Sequence, residues 1–145
     1  MKPKLIHFDS FDAKQSGKLV VSEKENLPFM PKRIYWVTGI EEKTIRGEHA
    51  HKKLNQILIC VEGKIEIELI SKERQTFKYT LSSSDIGLFV PKMYWRKIYY
   101  EEGSILLVLA DDLFKKSYYL SNFYDFVKYN IYKVCHFNKK KFDFV

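Results

Sequence analysis

The chain has 145 residues and a formal net charge of +7, a length that suits one compact domain with a single hydrophobic core. Its two cysteines, Cys60 and Cys135, lack C-x-x-C spacing, which excludes a disulfide scaffold and a zinc ribbon. The sequence contains neither the ~20-residue apolar run of a transmembrane helix nor the apolar region of a signal peptide. We therefore expect a single-domain protein of the reducing cytoplasm.

The composition favours β structure. Three alanines stand against eleven phenylalanines and ten tyrosines, and aromatic residues suit strands whereas alanine suits helices. The positive charge first suggests an anionic partner. However, five lysines and one aspartate among residues 126–145 account for more than half of it. We expect residues 128–145 to form a basic C-terminal tail, and we expect neither nucleic acid nor a membrane as the partner.

Short segments rich in aromatic and β-branched residues alternate with turn residues along the chain. Residues 56–61 are apolar except for Gln56, as in a strand buried on both faces, and residues 65–69 alternate with period two. Gly63 between them indicates a hairpin turn. Only residues 122–132 have helical character. The chain order of predicted strands is 18–21, 33–37, 56–61, 65–69, 77–81, 87–91, 95–100 and 104–110, which predicts an all-β sandwich or barrel.

The first chemical signal is a pair of histidines two positions apart. On a strand, His49 and His51 project from the same face. Imidazole has a pKa of about 6.5, so such a pair can ligate a metal or transfer protons near neutral pH. The dipeptide spacing alone leaves both roles open, together with a surface pair that has no role.

The residues around the pair read His49-x-His51-x4-Gln56-x6-Gly63. This spacing resembles the first motif of the cupin superfamily, which are small jelly-roll β-barrels. In that motif two histidines and a glutamate bind metal, and a second motif supplies a fourth ligand, which is a histidine. Here an amide replaces the glutamate, and Trp95 and Arg96 stand where the fourth ligand would fall. Because these groups suit a cation poorly, we expect a cupin domain over residues 1–127 with no metal.

Two blocks of the sequence carry a more specific pattern. They read Arg46-Gly47-x-His49-Ala50-His51-Lys52-Lys53-x2-Gln56-x-Leu58-x-Cys60-x2-Gly63 and Gly87-Leu88-x2-Pro91-x3-Trp95. This pattern resembles the WxcM-like sugar-nucleotide 3,4-ketoisomerases. The resemblance implies conversion of dTDP-linked 4-keto-6-deoxyglucose to a 3-keto-6-deoxyhexose without any cofactor, for the synthesis of 3-amino sugars of bacterial surface polysaccharides. It also implies a homodimer. The family's C-terminal arginine is missing from residues 118–121.

The chemistry implied by this resemblance assigns roles to three residues. Moving a carbonyl from C4 to C3 requires a base at the C3 hydrogen and a donor at the developing enolate oxygen. We assign His51 as the carbon base and His49 as its oxygen partner. Tyr35 matches an active-site tyrosine of the family and is expected to relay a proton between the two oxygens, although a core aromatic is the alternative.

Substrate contacts are expected from cations and one aromatic residue. Arg46 is the main candidate for the diphosphate, because a guanidinium binds two phosphate oxygens at once. Arg33, Lys53 and Arg96 are weaker candidates for the same group. Trp95 is a candidate for stacking on thymine or sugar, with core packing as its alternative.

Two other functions fit parts of the sequence. A cupin epimerase acting at C3 or C5 of the same keto sugar uses similar histidines and the same enolate chemistry. A non-catalytic β-barrel that binds sugar or nucleic acid has the basic tail as its main support, and its binding to nucleic acid would weaken steeply with salt.

Overall fold

The structure, a computed structural model, describes residues 1–129. Two five-stranded antiparallel sheets pack face to face, in the orders β1-β9-β6-β11-β4 and β12-β5-β10-β7-β8, and β2 pairs with β3 as a separate hairpin. The predicted all-β, jelly-roll architecture is confirmed. The strands are β1 Lys4–His7, β2 Asp9–Ala13, β3 Gly17–Val21, β4 Arg33–Val37, β5 Ile45–His51, β6 Gln56–Glu62, β7 Ile65–Ile70, β8 Thr76–Leu81, β9 Ile86–Val90, β10 Trp95–Tyr100, β11 Ile105–Ala110 and β12 Tyr119–Leu120.

Each of the predicted segments coincides with a strand, but β1, β2, β5 and β12 are not among the predicted segments. The sequence of β2, Asp-Ser-Phe-Asp-Ala, is too polar to read as a strand, and β12 has only two residues. Residues 123–129 are helical, which agrees with the weak helical signal there. The rest of that signal and most of the basic tail lie outside the described residues. No helix in the described part of the chain has the length and apolarity of a membrane span.

The buried strand β6 explains how the barrel gains two apolar layers. Its side chains alternate between the sheet faces. Leu58 and Cys60 pack into the main core between the sheets. Ile57 and Ile59 pack into a second cluster, where Phe29 and other residues from the N-terminal third of the chain cover the outer face of the sheet. Residues 57–60 of the strand are apolar because both of its faces are covered there.

The hairpin turn at Gly63 offers a test of the fold. Gly63 has φ +77°, and a Cβ there would lie 2.6 Å from Ser104 Oγ and 3.0 Å from Ser104 Cα. Gly103 has nearly the same φ, +75°, but no atom within 4 Å of an added Cβ. We expect Gly103→Ala to lower the free energy of unfolding by about 1–2 kcal/mol, the cost of the left-handed backbone.

Gly63→Ala should lower the free energy of unfolding by the same amount as Gly103→Ala and by about 1–3 kcal/mol more, because the added Cβ overlaps with Ser104. Urea denaturation of the two variants and the wild-type protein measures the difference. Equal losses in the two variants would show that the close approach of Ser104 is unimportant.

Candidate active site

Polar side chains from four strands meet between the two sheets. His49 and His51 come from β5, Arg96 from β10, Gln56 from β6 and Tyr35 from β4. His51, Gln56 and Arg96 are buried, with at most 1% of their surface exposed. Such groups are rare in an interior unless they are paired or functional. The cluster therefore marks the candidate active site.

A bulge in β5 places His49 opposite Arg96. Gly47 and Glu48 both have positive φ, and the register with β10 shifts between Arg96 and Lys97, so that Arg96 faces His49 while Lys97 faces Gly47. A Cβ at Gly47 would lie 2.9 Å from the Arg96 carbonyl oxygen. Glycine is therefore required for the close approach of the two strands at this point.

The two histidines form a directed hydrogen-bonded pair. His49 Nδ1 lies 2.7 Å from the Gly47 carbonyl oxygen, and His49 Nε2 lies 3.2 Å from His51 Nε2. A carbonyl only accepts, so Nδ1 of His49 carries the hydrogen and its Nε2 is the acceptor in the neutral ring. His51 must then donate from Nε2. Its Nδ1 bears a lone pair and has no hydrogen-bond partner among residues 1–129.

The surroundings keep this pair uncharged at neutral pH. Burial and, second to it, the nearby Arg96 guanidinium lower the pKa of His49 to about 4. Burial lowers the pKa of His51 even more, helped by the charges of Arg96 and Arg33 and opposed in part by the side chain of Gln56. Both rings are therefore neutral near pH 7, and a neutral ring has a lone pair available for a proton.

Arg96 is a buried cation without a counter-charge in the described part of the chain. Its Nη1 donates to Gln56 Oε1, but Nε and Nη2 have no hydrogen-bond partner there. Burial lowers the pKa of Arg96 only to about 10, so the group stays charged at pH 7. An unpaired buried charge is costly. The arrangement suits the binding of an anion that forms or enters between the sheets.

Tyr35 and Tyr119 complete the walls of the cluster. Gln56 Nε2 donates to Tyr35 Oη at 2.8 Å, and the Arg33 guanidinium carbon lies 4.6 Å from the centre of the Tyr35 ring. The Tyr119 ring lies 4.4 Å from the His51 ring and 5.0 Å from the His49 ring. Neither Tyr119 nor Gln56 was predicted as a site residue. Tyr119 lies on β12, whose pairing with β5 sets it opposite His51, and this two-residue strand is too short to leave a signal in the sequence.

The remaining predicted substrate contacts lie apart from the polar cluster. Arg46 is exposed on β5, and Lys53 is exposed with its Nζ 5.5 Å from the Tyr118 ring centre. Trp95 is only 5% exposed and packs its ring against Phe123 and Phe126. This environment agrees with the core-packing alternative for Trp95.

The donor set does not fit the metal site that a cupin fold implies. Gln56 stands at the position of the usual glutamate, and its amide oxygen is occupied by the Arg96 guanidinium. That permanent positive charge would repel a divalent cation beside the histidines. Within residues 1–129, no three His, Cys, Asp or Glu side chains converge.

An antiparallel barrel that encloses a buried histidine pair is the architecture of the cupin class. A family model described as FdtA, WxcM-like, C-terminal, matches residues 1–131, and the chain belongs to this family. TDP-4-oxo-6-deoxy-alpha-D-glucose-3,4-oxoisomerase of Aneurinibacillus thermoaerophilus is 29% identical over 130 residues, which are 89% of this chain and 93% of that protein.

Two solved structures of a relative are also similar. QdtA, a sugar 3,4-ketoisomerase from Thermoanaerobacterium thermosaccharolyticum in complex with TDP, has a TM-score of 0.84 and 32% identity, covering 90% of this chain and 96% of QdtA. A histidine-to-asparagine variant of QdtA in complex with TDP-4-keto-6-deoxyglucose has a TM-score of 0.83 and 32% identity, covering 88% and 93% of the two chains.

The lowered histidine pKa values predict an acid-sensitive fold. In the unfolded chain each histidine titrates near pH 6.5, whereas in the folded protein His49 titrates near pH 4 and His51 is also depressed. Between these values the unfolded state binds more protons, so the free energy of unfolding falls as pH falls. The slope approaches about 1.4 kcal/mol per pH unit for each histidine.

Urea denaturation from pH 7 to pH 4 measures this slope. His49→Asn and His51→Asn should each make the slope smaller, because each removes one histidine whose pKa is lowered in the folded protein. Carboxylates contribute equally to wild type and variants and cancel in the comparison. Identical slopes in all three proteins would contradict the depressed pKa values.

Proposed function

We propose that this chain is a 3,4-ketoisomerase of a TDP-linked 4-keto-6-deoxy sugar and that its product feeds the synthesis of a 3-amino sugar. Family membership and the ketoisomerase relatives support the reaction. The observation that carries the proposal is the neutral, directed histidine pair beside the uncompensated charge of Arg96. We place the enzyme in the cytoplasm, in keeping with its two cysteines.

The pair is suited to remove the C3 proton of the sugar. In the inferred arrangement Nδ1 of His51 bears the free lone pair, so it is the atom that accepts this proton. The C3–H electrons then form the C3–C4 double bond, and the C4 carbonyl oxygen becomes an enolate. His49 holds the His51 ring in this orientation through the hydrogen bond between the two Nε2 atoms. Because both ring nitrogens of His49 are already in hydrogen bonds, we propose Arg96 in place of His49 as the partner of the enolate oxygen.

The buried guanidinium of Arg96 is suited to stabilise the enolate. Its Nε and Nη2 are unpartnered donors within the described residues, and its charge is desolvated. A preorganised donor in a water-poor site stabilises developing negative charge far more than water does. His51 then gives the proton it took from C3 to C4, and O4 gains a hydrogen while O3 loses one, which completes the transfer of the carbonyl to C3. Tyr35 is the proposed relay between the two oxygens.

The diphosphate of the substrate is negatively charged, and we expect its ligands to be cationic side chains closer to the surface than Arg96. Arg46 and Lys53 are exposed, and Arg33 is half-buried beside Tyr35. We propose these three side chains as ligands of the diphosphate. Arg96 was among the candidates for that group, but its complete burial beside the histidines supports a role at the sugar instead.

We further propose that the chain forms a homodimer through the outer face of the sheet that contains β4. Ile34 and Trp36 on this edge strand are 57% and 66% exposed. They lie in register with Leu109 and Leu107 of β11, which belong to the apolar cluster on the same face. An exposed apolar edge strand favours association with another chain.

Substitution of the histidines tests the proposed reaction. His49→Asn and His51→Asn should each lower kcat by about 10²–10⁴-fold, because each disrupts the pair that moves the proton. Proton NMR of TDP-4-keto-6-deoxyglucose in deuterium oxide measures both exchange at C3 and the product. His7→Asn is the control, since His7 is exposed on β1.

Full activity in both site variants would refute the mechanism. A product with an inverted centre and an unmoved carbonyl would assign the chain as an epimerase. Failure of the wild-type protein to exchange or isomerise the sugar would leave the non-catalytic alternative.

Substitution of one edge residue tests the dimer. Ile34→Glu should produce a monomer, because it places a charge on the proposed interface. Ile45→Glu is the matched control, since Ile45 is similarly exposed, 51% against 57%, but lies on the other sheet. Size-exclusion chromatography with light scattering gives the mass of each. A wild-type monomer, or a dimer that survives Ile34→Glu, would contradict the proposed interface.

A further inference from the structure

A chain of hydrogen bonds crosses the gap between the sheets from Arg96 through Gln56 to Tyr35. Gln56 is 1% exposed, and its amide contacts a cation on one side and a hydroxyl on the other. This series of hydrogen bonds has a fixed direction because its groups differ in whether they donate or accept a hydrogen. A guanidinium has only donors, so the amide atom that faces Arg96 must be the oxygen.

The direction of this first bond determines the next one. With Oε1 of Gln56 turned to Arg96, Nε2 is turned to Tyr35, and an amide NH2 only donates. Tyr35 Oη is therefore the acceptor at 2.8 Å. No hydrogen bond among residues 1–129 uses the Tyr35 hydroxyl as a donor. Its O–H hydrogen is thus left to point away from Gln56.

We propose that Gln56 is a positioning residue that, held by Arg96, orients the Tyr35 hydroxyl so that its hydrogen is presented to the substrate. This inference rests on the proposed function. It adds a reason why the Tyr35 hydroxyl donates its hydrogen to the substrate and not to Gln56. In the proposed reaction, Tyr35 donates this hydrogen to the C4 oxygen as the enolate forms. It recovers a hydrogen from the O3 hydroxyl, so atoms and charge balance over the cycle.

The glutamate variant discriminates between this role and a merely structural one. Gln56→Glu keeps the shape of the side chain but has only acceptors in its ionised form. Its carboxylate would accept from Arg96 and also from the Tyr35 O–H, which turns the hydroxyl hydrogen away from the substrate. A residue with only a structural role should tolerate this change, because the carboxylate gives the buried Arg96 its missing counter-charge.

A double-mutant cycle with Tyr35→Phe is the decisive experiment. We expect Gln56→Glu to lower kcat by about tenfold or more while KM changes by less than about threefold. In the Tyr35→Phe background the same substitution should lower kcat by less than about threefold, since the hydroxyl through which it acts is absent. Deuterium incorporation into TDP-4-keto-6-deoxyglucose, followed by NMR, is sensitive enough for slow variants.

Two outcomes would overturn the inference. One is a Gln56→Glu variant with wild-type kcat, and the other is an equal loss in both backgrounds, which would mean that the glutamate acts on Arg96 or the histidines rather than through Tyr35. If Gln56→Glu does not fold, Gln56→Met replaces it in the same double-mutant cycle. We then expect Gln56→Met to lower kcat in the background that retains Tyr35 and to leave kcat unchanged in the Tyr35→Phe background. A wild-type protein without exchange or isomerase activity would instead defeat the proposed function.

Discussion

The site depends on one constraint, which is a guanidinium buried between two sheets without a carboxylate partner in the described part of the chain. Arg96 stays charged even though burial lowers its pKa to about 10. Burial away from water lowers the pKa of both histidines, and the positive charge of Arg96 lowers it further than burial alone would. Its donors orient the Gln56 amide, and the amide orients Tyr35. One buried charge thus adds to the effect of burial on the base and sets the direction of the neighbouring hydrogen bonds.

The apolar core of the barrel offsets the free energy lost by burying these polar groups. The histidines and Arg96 lie on the sheet that contains β5 and β10, whereas Gln56 and Tyr35 lie on the sheet that contains β6 and β4. Apolar contacts along the rest of these strands, such as those of Leu58 and Ile98 in the main core, hold the sheets together. Since hydrophobic burial is the largest favourable term in folding, it can offset a few desolvated polar groups at one place.

The fold was largely predictable because strand patterns are local. The alternation of residues 65–69 and the apolar run of residues 56–61 became β7 and β6, with the expected turn at Gly63. The histidine pair was also predictable, since period two places both rings on one face of a strand. The strands β2 and β12 escaped prediction because their pairing depends on partners elsewhere and not on their own composition.

The sequence by itself determined the β-barrel class, the histidine pair and the absence of the usual cupin glutamate at Gln56. Only the tertiary structure decided how these residues act together. The bonds from Gln56 to Arg96 and to Tyr35 join positions 40 and 21 residues apart, and the packing of Trp95 against Phe123 favours the core-packing alternative for its ring. Periodicity along a strand is a property of neighbouring residues, whereas a hydrogen bond across two sheets requires the packing that brings distant strands together.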